Sequence, residues 1–458
     1  FMQKQQNAIS TIEYVGDGEM PAYNAAENLQ KMPAVTIQRD QGEGRYMSVR
    51  GTPTDWNSSL INGDRLPVAD ENSETRTMAF DVISSDLLDY IQINKALTPD
   101  MEGDAIGGAV DFLTKTSPDS FELRLNLMNG YNTQAQKPLY NISLFHGNRL
   151  AKNKFGYLIN GSLFQRNYGT DNFEVVYGSN FNQGINRLEL RDYIGERTTA
   201  AGNIALDYTF KNQSQIYTKG LVGYFTDFER NRKTRYNYAV GAGSTVSLQH
   251  ISSKARSLLY GGEIGGNFNL SPKWKLNLKY AYYSNRFDYG NLPFGGDDPR
   301  NGYQVITFEQ YNINYLDQIY LDKYGNSYYS DENGNPIDEN GELITDPSLE
   351  LSRVKLIGSD NPFGNGDDWK NIQPNPKQEL DPAKFEFAEA FTELNTTWER
   401  DPLVAKLDLN YSPNNRLTIK FGGKARHKEG YRKLSLHDWH QDFSVFTDPI
   451  LLTNYPHG

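Results

Sequence analysis

Two groups of side chains carry donor atoms at spacings that metal chemistry uses. Asp331, Asn333, Asn335 and Glu342 stand at the first, third, fifth and twelfth positions of a stretch with the rhythm of a calcium loop, where carboxylate and amide oxygens converge on a hard cation. That loop needs glycine at its sixth position, and Pro336 is there instead. The pairs Asn333-Gly334 and Asn340-Gly341 explain the same string as turns of a solvated hairpin. His437 and His440 are three apart in His-Asp-Trp-His, a spacing open to zinc, although isolated histidines in polar connections are the ordinary case. Neither group makes a metal centre, and no metal or cofactor is expected. The chain has no cysteine, which removes thiol chemistry. No paired acid, nucleophile elbow or phosphate-cradling loop falls in a strand-turn-helix context, so the chain does not read as an enzyme.

Charge and composition narrow the partners. The 458 residues hold 57 acidic and 46 basic side chains, a net charge of -11, which argues against nucleic acid as a partner. Only 37% of residues are hydrophobic and mean hydropathy is -0.68, yet there are 30 Tyr and 23 Phe. A helical membrane protein would show runs of about 20 apolar residues, and the chain has none. A barrel that spans a bilayer fits better: every second residue meets lipid, mean hydropathy stays low, and aromatics collect at both interfaces.

The periodicity of the chain after residue 120 supports that choice. Phe121, Leu123, Leu125 and Leu127 alternate with Glu122, Arg124, Asn126 and Met128, and Leu276, Leu278, Tyr280 and Tyr282 alternate in the same way. Strands are expected near 121–131, 139–147, 155–166, 188–210, 215–230, 251–270, 275–287, 402–411 and 416–430. Short turns at 148–154, 211–214, 271–274 and 412–415 alternate with long polar connections at 167–187, 231–250 and 288–401. Bacterial outer-membrane barrels pair short periplasmic turns with longer extracellular loops, which puts Phe121 on the periplasmic side. An open sheet would leave two edges unpaired in hydrocarbon, so further strands are expected beyond Gly458.

Residues 1–120 have a different texture, that of a small α+β domain. Asn24 caps a helix with Ala25, Leu29 and Met32 on one face, and Pro33 stops it. Alternating segments at 35–39 and 46–50 flank a glycine-containing corner, and Ser58–Ile61 leads into an Asn62-Gly63 turn. In Met20–Gly51 (MPAYNAAENLQKMPAVTIQRDQGEGRYMSVRG), Ser58–Pro67 (SSLINGDRLP) and Asp81–Lys115, which contains IGGAV, the chain resembles the plug of TonB-dependent outer-membrane receptors. The strands that follow are similar to the start of that family's barrel. The expected architecture is therefore a plug domain over 1–120 and, over 121–458, about nine strands of a transmembrane antiparallel β-barrel of 22.

The resemblance implies a division of labour among residues. Arg50 is the candidate for an ion pair that seats the plug; Gly51, Gly107 and Gly108 would let the backbone pass close to the wall. Loops at the outer tip of the plug meet the ligand in the family, and the matching tips here are 40–44, 52–57 and 68–74. Arg39, Asp40, Glu43, Asp55, Trp56 and Asn57 are the candidate binding residues, with the Trp56 indole suited to stacking on a ring or chelate. The implied function is import of a scarce small solute (ferric siderophore, haem, vitamin, oligosaccharide or peptide) across a bacterial outer membrane. The energy would come through the TonB partner, engaged by a segment upstream of Phe1. The 114 residues from Asp288 to Asp401 are long enough to fold over a ligand. The alternative is a plugged barrel that serves as a non-transporting scaffold in an outer-membrane assembly, with a surface lipoprotein or other protein on the long connection.

Overall fold

The computed structural model describes residues 10–14, 24–71, 77–95, 101, 103, 105–177, 185–237, 245–289, 302–311, 313, 318–324, 326–331, 335–338, 340–355, 380–414 and 416–439. The N-terminal unit runs β1 (Ser10–Tyr14), α1 (Ala25–Leu29), β2 (Val35–Asp40), β3 (Glu43–Val49), β4 (Asn57–Ile61), β5 (Asp64–Arg65), β6 (Leu88–Asn94) and β7 (Gly108–Thr114). The Asn24 side chain accepts from the Glu27 amide at 3.2 Å, capping a helix too short to persist alone. Ala25, Leu29 and Met32 enter one core, which supplies the stability the helix lacks. A five-stranded sheet has the order β1-β6-β7-β4-β5, and β2 and β3 form a separate hairpin. The Asn62-Gly63 turn closes with φ of +50° and +82°, values that glycine adopts freely and asparagine tolerates.

The wall that follows is antiparallel and meanders: β8 (Glu122–Asn132), β9 (Lys137–Leu150), β10 (Phe155–Tyr177), β11 (Ile185–Thr209), β12 (Gln215–Asn237), β13 (Thr245–Ser271), β14 (Trp274–Tyr289) and β15 (Tyr303–Tyr311). After a small four-stranded sheet of β16 (Gln318–Leu321), β17 (Ser327–Ser330), β18 (Pro336–Ile337) and β19 (Ser352–Lys355), the wall resumes with β20 (Glu386–Asn414) and β21 (Leu417–Trp439). Strands β14 and β15 share one track, because β13 pairs with β15 through Thr245–Ser252 and with β14 from Ala255 onward. Strand β20 pairs with both in the same order. The sheet is open, with β8 and β21 as its edges, so the barrel is incomplete.

The alternation expected at Phe121 is realised. Leu123, Leu125 and Leu127 point outward and are exposed, while Asn126 donates inward to Ser143 and Arg124 lies 4.2 Å over the Phe145 ring. Outward rings stack near the short-turn end, as Trp274 does on Tyr411. Among the described residues no helix is long and apolar enough to cross a membrane.

Two expectations about the connections need correction. Strands β10 to β13 and β20 are 23 to 29 residues long, more than twice the roughly 9–11 residues that span hydrocarbon. Most of 167–187 and 231–250 is therefore wall, not loop. In the stretch between β15 and β20, the described residues at its two ends are anchored to the wall. Ile313, Leu380 and Phe385 pack on Leu188, Leu190, Val246 and Leu248. Those wall residues share the outward parity of Ile194 and Ile264, so both ends of the stretch pack on the outside of the wall.

Candidate binding site between the N-terminal unit and the wall

The β2–β3 hairpin carries four charged residues in Arg39–Arg45, and its tip reaches the wall. Arg39 is turned back toward α1, donating to Glu27 at 2.8 and 2.9 Å and to the Gln30 side chain at 2.7 Å. Asp40 and Glu43 project the other way. The Arg197 guanidinium of β11 meets Asp40 at 2.6 Å and Glu43 at 3.5 Å, and Arg166 of β10 meets Glu43 at 3.1 Å. The Tyr168 ring lies between the two guanidinium groups, 5.1 Å from each, and its hydroxyl donates to Asp227 at 3.0 Å. Burial by itself would raise the Asp40 carboxyl, but Arg197 and Arg45 outweigh it and hold Asp40 below the usual carboxylate range.

Behind the hairpin lies a cavity of about 170 Å³. Arg45 is its hub, with Asp70 at 2.8 Å, Glu71 at 3.0 Å, Asp40 at 3.3 Å and Asp81 at 3.5 Å. Tyr46 donates to Asp70 at 2.5 Å, and Tyr289 of β14 donates to Glu71. Wall residues Asp227, Glu229, Phe225, Tyr193 and Tyr303 complete the lining. Burial pushes the Asp81 carboxyl up to about 7; Arg45 counters this in part and Asp70 adds to it.

A second set of charges joins the unit to the wall closer to the short-turn end. Asp64, fully buried, meets Lys279 of β14 at 2.7 Å and Lys424 of β21 at 3.2 Å. Lys279 also donates to the Asn62 carbonyl at 2.7 Å. Asp111 accepts from the Gly63 amide at 3.0 Å; burial raises its carboxyl to about 6, against the pull of that amide and of Lys279. The seat is not wholly polar, as the hydrophilic lumen of a barrel suggested. Val82 and Ile83 share an apolar core with Ala201, Leu221, Phe225 and Leu259 of the wall. A side chain at Gly223 would overlap the Val82 carbonyl, so glycine sets that approach.

The candidate residues divide unevenly. Asp40 lines the cavity, and Trp56, 48% exposed, stands on an open tip. Asp55 accepts from Thr77 at 2.6 Å and Asn57 is buried, donating to the Pro53 and Thr54 carbonyls of its own turn. Residues 72–74 of the third tip lie outside the described residues. Arg50, expected to ion-pair with the wall, instead donates to the carbonyls of Gly107 at 2.9 Å and Ile106 at 3.1 Å, both within its own unit. Gly51 has φ +70° with open space around it, and a side chain at Gly107 would overlap Thr52 and Asn57, so these glycines serve local turns and packing. At Gly108 the near neighbour is Val49, again of the same unit.

Among the described residues no three His, Cys, Asp or Glu side chains gather as a metal site. Asp331 accepts from the Asn335 amide at 2.7 Å, closing a tight turn, and the Glu342 amide donates to Asp338 at 2.8 Å. His437 sits exposed on β21 opposite Thr392, while Asn333 and His440 lie outside the described residues. What sequence reasoning missed is the partner set: Arg45, Asp70, Glu71 and Asp81 on the unit, and Arg166, Arg197, Asp227 and Glu229 on the wall. Arg45 was within reach, since it closes the RDQGEGR string. Arg197 stands on the inward parity of its strand beside Thr199 and Ala201, a charge where small residues prevail.

Residues 3–109 match the family model for the TonB-dependent Receptor Plug Domain. No curated protein matches the chain. Similar solved structures include a variant of the ferric enterobactin receptor of Pseudomonas aeruginosa, at 11% identity and TM-score 0.40, with 90% of this chain and 72% of that one covered. Others are the copper transporter OprC, at 11% identity and TM-score 0.38 over 93% of this chain and 62% of that one, and the alcaligin outer-membrane receptor of Bordetella pertussis, at 12% identity and TM-score 0.29 over 94% and 90%. The plug match falls on the compact α+β unit that docks on the meander of long antiparallel strands, so residues 3–109 are similar to the plug domain of TonB-dependent receptors.

Proposed function

We propose that this chain is the plug and the first part of the barrel of an outer-membrane importer, which binds a scarce solute at the cell surface and passes it to the periplasm when the plug is displaced. The observation that carries the reading is the ionic seating of the plug: Asp40 and Glu43 on Arg166 and Arg197, and Asp64 on Lys279 and Lys424. Pairs in which both partners are largely buried hold one geometry, and they come apart when work is done on one partner. A TonB-type protein, acting on a segment upstream of Phe1, would supply that work. The cavity behind the β2–β3 hairpin lies between plug and wall, where occupancy and plug position bear on each other.

The test is growth of strains with and without the gene on single limiting sources of iron, vitamin, glycan or peptide. Loss of growth on one source, reproduced when the inner-membrane energy supply is removed, is the expected result. A scaffold reading has one observation in its favour, the sheet β16–β19 in the stretch whose two ends pack outside the wall. If no source depends on the gene while another surface protein fails to assemble without it, the import reading fails.

A further inference from the structure

Resting on the import reading, we propose that the cavity behind the β2–β3 hairpin receives a cationic group of the solute, an ammonium or guanidinium on a short aliphatic stem. Among the described residues six carboxylates line it: Asp40, Asp70, Glu71, Asp81, Asp227 and Glu229. Two guanidinium groups face them, Arg45 in the lining and Arg197 beside Asp40 and Asp227. Among the described residues carboxylates outnumber guanidinium groups six to two in this recess between unit and wall, an imbalance that favours a cation and repels an anion.

Most of those carboxylates are already engaged. Asp70 takes Arg45 and Tyr46, Asp40 takes Arg197 and Arg45, Asp227 takes Arg197 and Tyr168, and Glu71 takes Arg45 and Tyr289. Asp81 is different. It is 4% exposed and lines the cavity, yet among the described residues its carboxylate accepts no hydrogen bond. Its nearest cation, Arg45 Nε at 3.5 Å, has no hydrogen-bond partner either. A buried carboxylate left in that condition costs free energy that a bound N–H donor returns. Glu229, on the wall, receives only a long bond of 3.5 Å from Tyr168. The raised Asp81 carboxyl agrees with the surplus of acid.

The remaining walls are rings. Tyr193, Phe225, Phe287, Tyr289 and Tyr303 contribute faces that attract a cation and edges that suit a methylene stem. A cavity of about 170 Å³ is close in size to one that takes a single benzene ring, so it suits one head group with a few carbons but not a whole siderophore or glycan. The cavity therefore takes one end of a solute whose bulk stays outside it.

The test is saturation-transfer NMR on the full-length receptor in detergent at pH 8, with n-butylguanidinium, butyrate and n-butanol as probes. Transfer to butylguanidinium alone is expected. Asp81→Asn and Glu229→Gln, which keep the shape and remove a charge, should each weaken it about tenfold or more. Glu350→Gln, at an exposed pair with Lys323 away from the cavity, should leave it unchanged. Retained heat-modifiable migration on a gel certifies folding, and Glu229→Gln carries the test if Asp81→Asn does not fold. Equal transfer to butyrate or butanol, no transfer in the parent, or full binding in both variants overturns the proposal. A receptor that ignores butylguanidinium but supports growth on one source loses this site and keeps its import role; one that binds the probe while no source depends on the gene does the reverse.

Discussion

At the scale of single residues, Asp64 makes the sharpest claim. It is fully buried between two ammonium groups, and removing its charge takes away the carboxylate that Lys279 and Lys424 share. Breaking a buried pair costs about 3–5 kcal/mol, so Asp64→Asn should loosen the plug and sensitise cells to large antibiotics that the parent excludes. Unchanged sensitivity at equal surface abundance would remove Asp64 from the seat. Arg50→Ala, by contrast, should not leak, because its bonds run to Ile106 and Gly107 of the same unit. Asp81 gives a pH test. Its carboxyl rises from an ordinary value of 3.8 to about 7 in the fold, so folding favours the protonated form. This group's penalty is absent below 3.8, grows as pH rises through that window, and is complete above about 7. Asp81→Asn should raise the melting temperature at pH 8 and leave it nearly unchanged at pH 4, as followed by differential scanning calorimetry. A variant no more stable than the parent at pH 8 would contradict the burial argument. These partners were hard to read from the chain, because Asp64 and Lys279 meet only after the wall has curved round the plug.

At the scale of elements, legibility followed the solvent. Lipid demands an apolar residue at every second position, so β8 announces itself through Leu123, Leu125 and Leu127. Above the hydrocarbon both faces of a strand are wet, and the upper part of β12, with Arg230, Arg232, Lys233 and Arg235, looks like a loop while pairing along its whole length with β13. Turn chemistry was more reliable, since the short connections expected at 148–154, 211–214, 271–274 and 412–415 coincide with the observed hairpins. The outward and inward faces of β8 give a paired prediction. Leu125→Arg places a guanidinium in lipid at a cost of about 2–4 kcal/mol near the midplane, whereas Asn126→Arg, one residue on, faces the lumen and should cost under ~1 kcal/mol. Denaturant titration of the receptor refolded into vesicles separates the two. Equal costs would mean that the face assignment is wrong. The patch formed by Leu188, Val246, Ile313 and Phe385 is testable in the same spirit. Leu188→Asp buries an unpaired charge there and should speed proteolytic nicking between β15 and β20. Nicking at the parental rate would dissociate that stretch from Leu188.

At the scale of the whole molecule, plug and wall are not a stopper in a smooth tube. The apolar contact of Val82 and Ile83 with the wall lies between two ionic seats, one at the hairpin tip and one at the Asn62-Gly63 turn. Displacing the plug must therefore wet an apolar patch as well as separate charges, and the first of these resists even at high salt, where ion pairs weaken. The stretch between β15 and β20 has a consequence of another kind. Because its two ends lean on the outer flank of the strands, a protein that grips those ends would hold the molecule by its shoulder, on the far side of the wall from the cavity behind the β2–β3 hairpin.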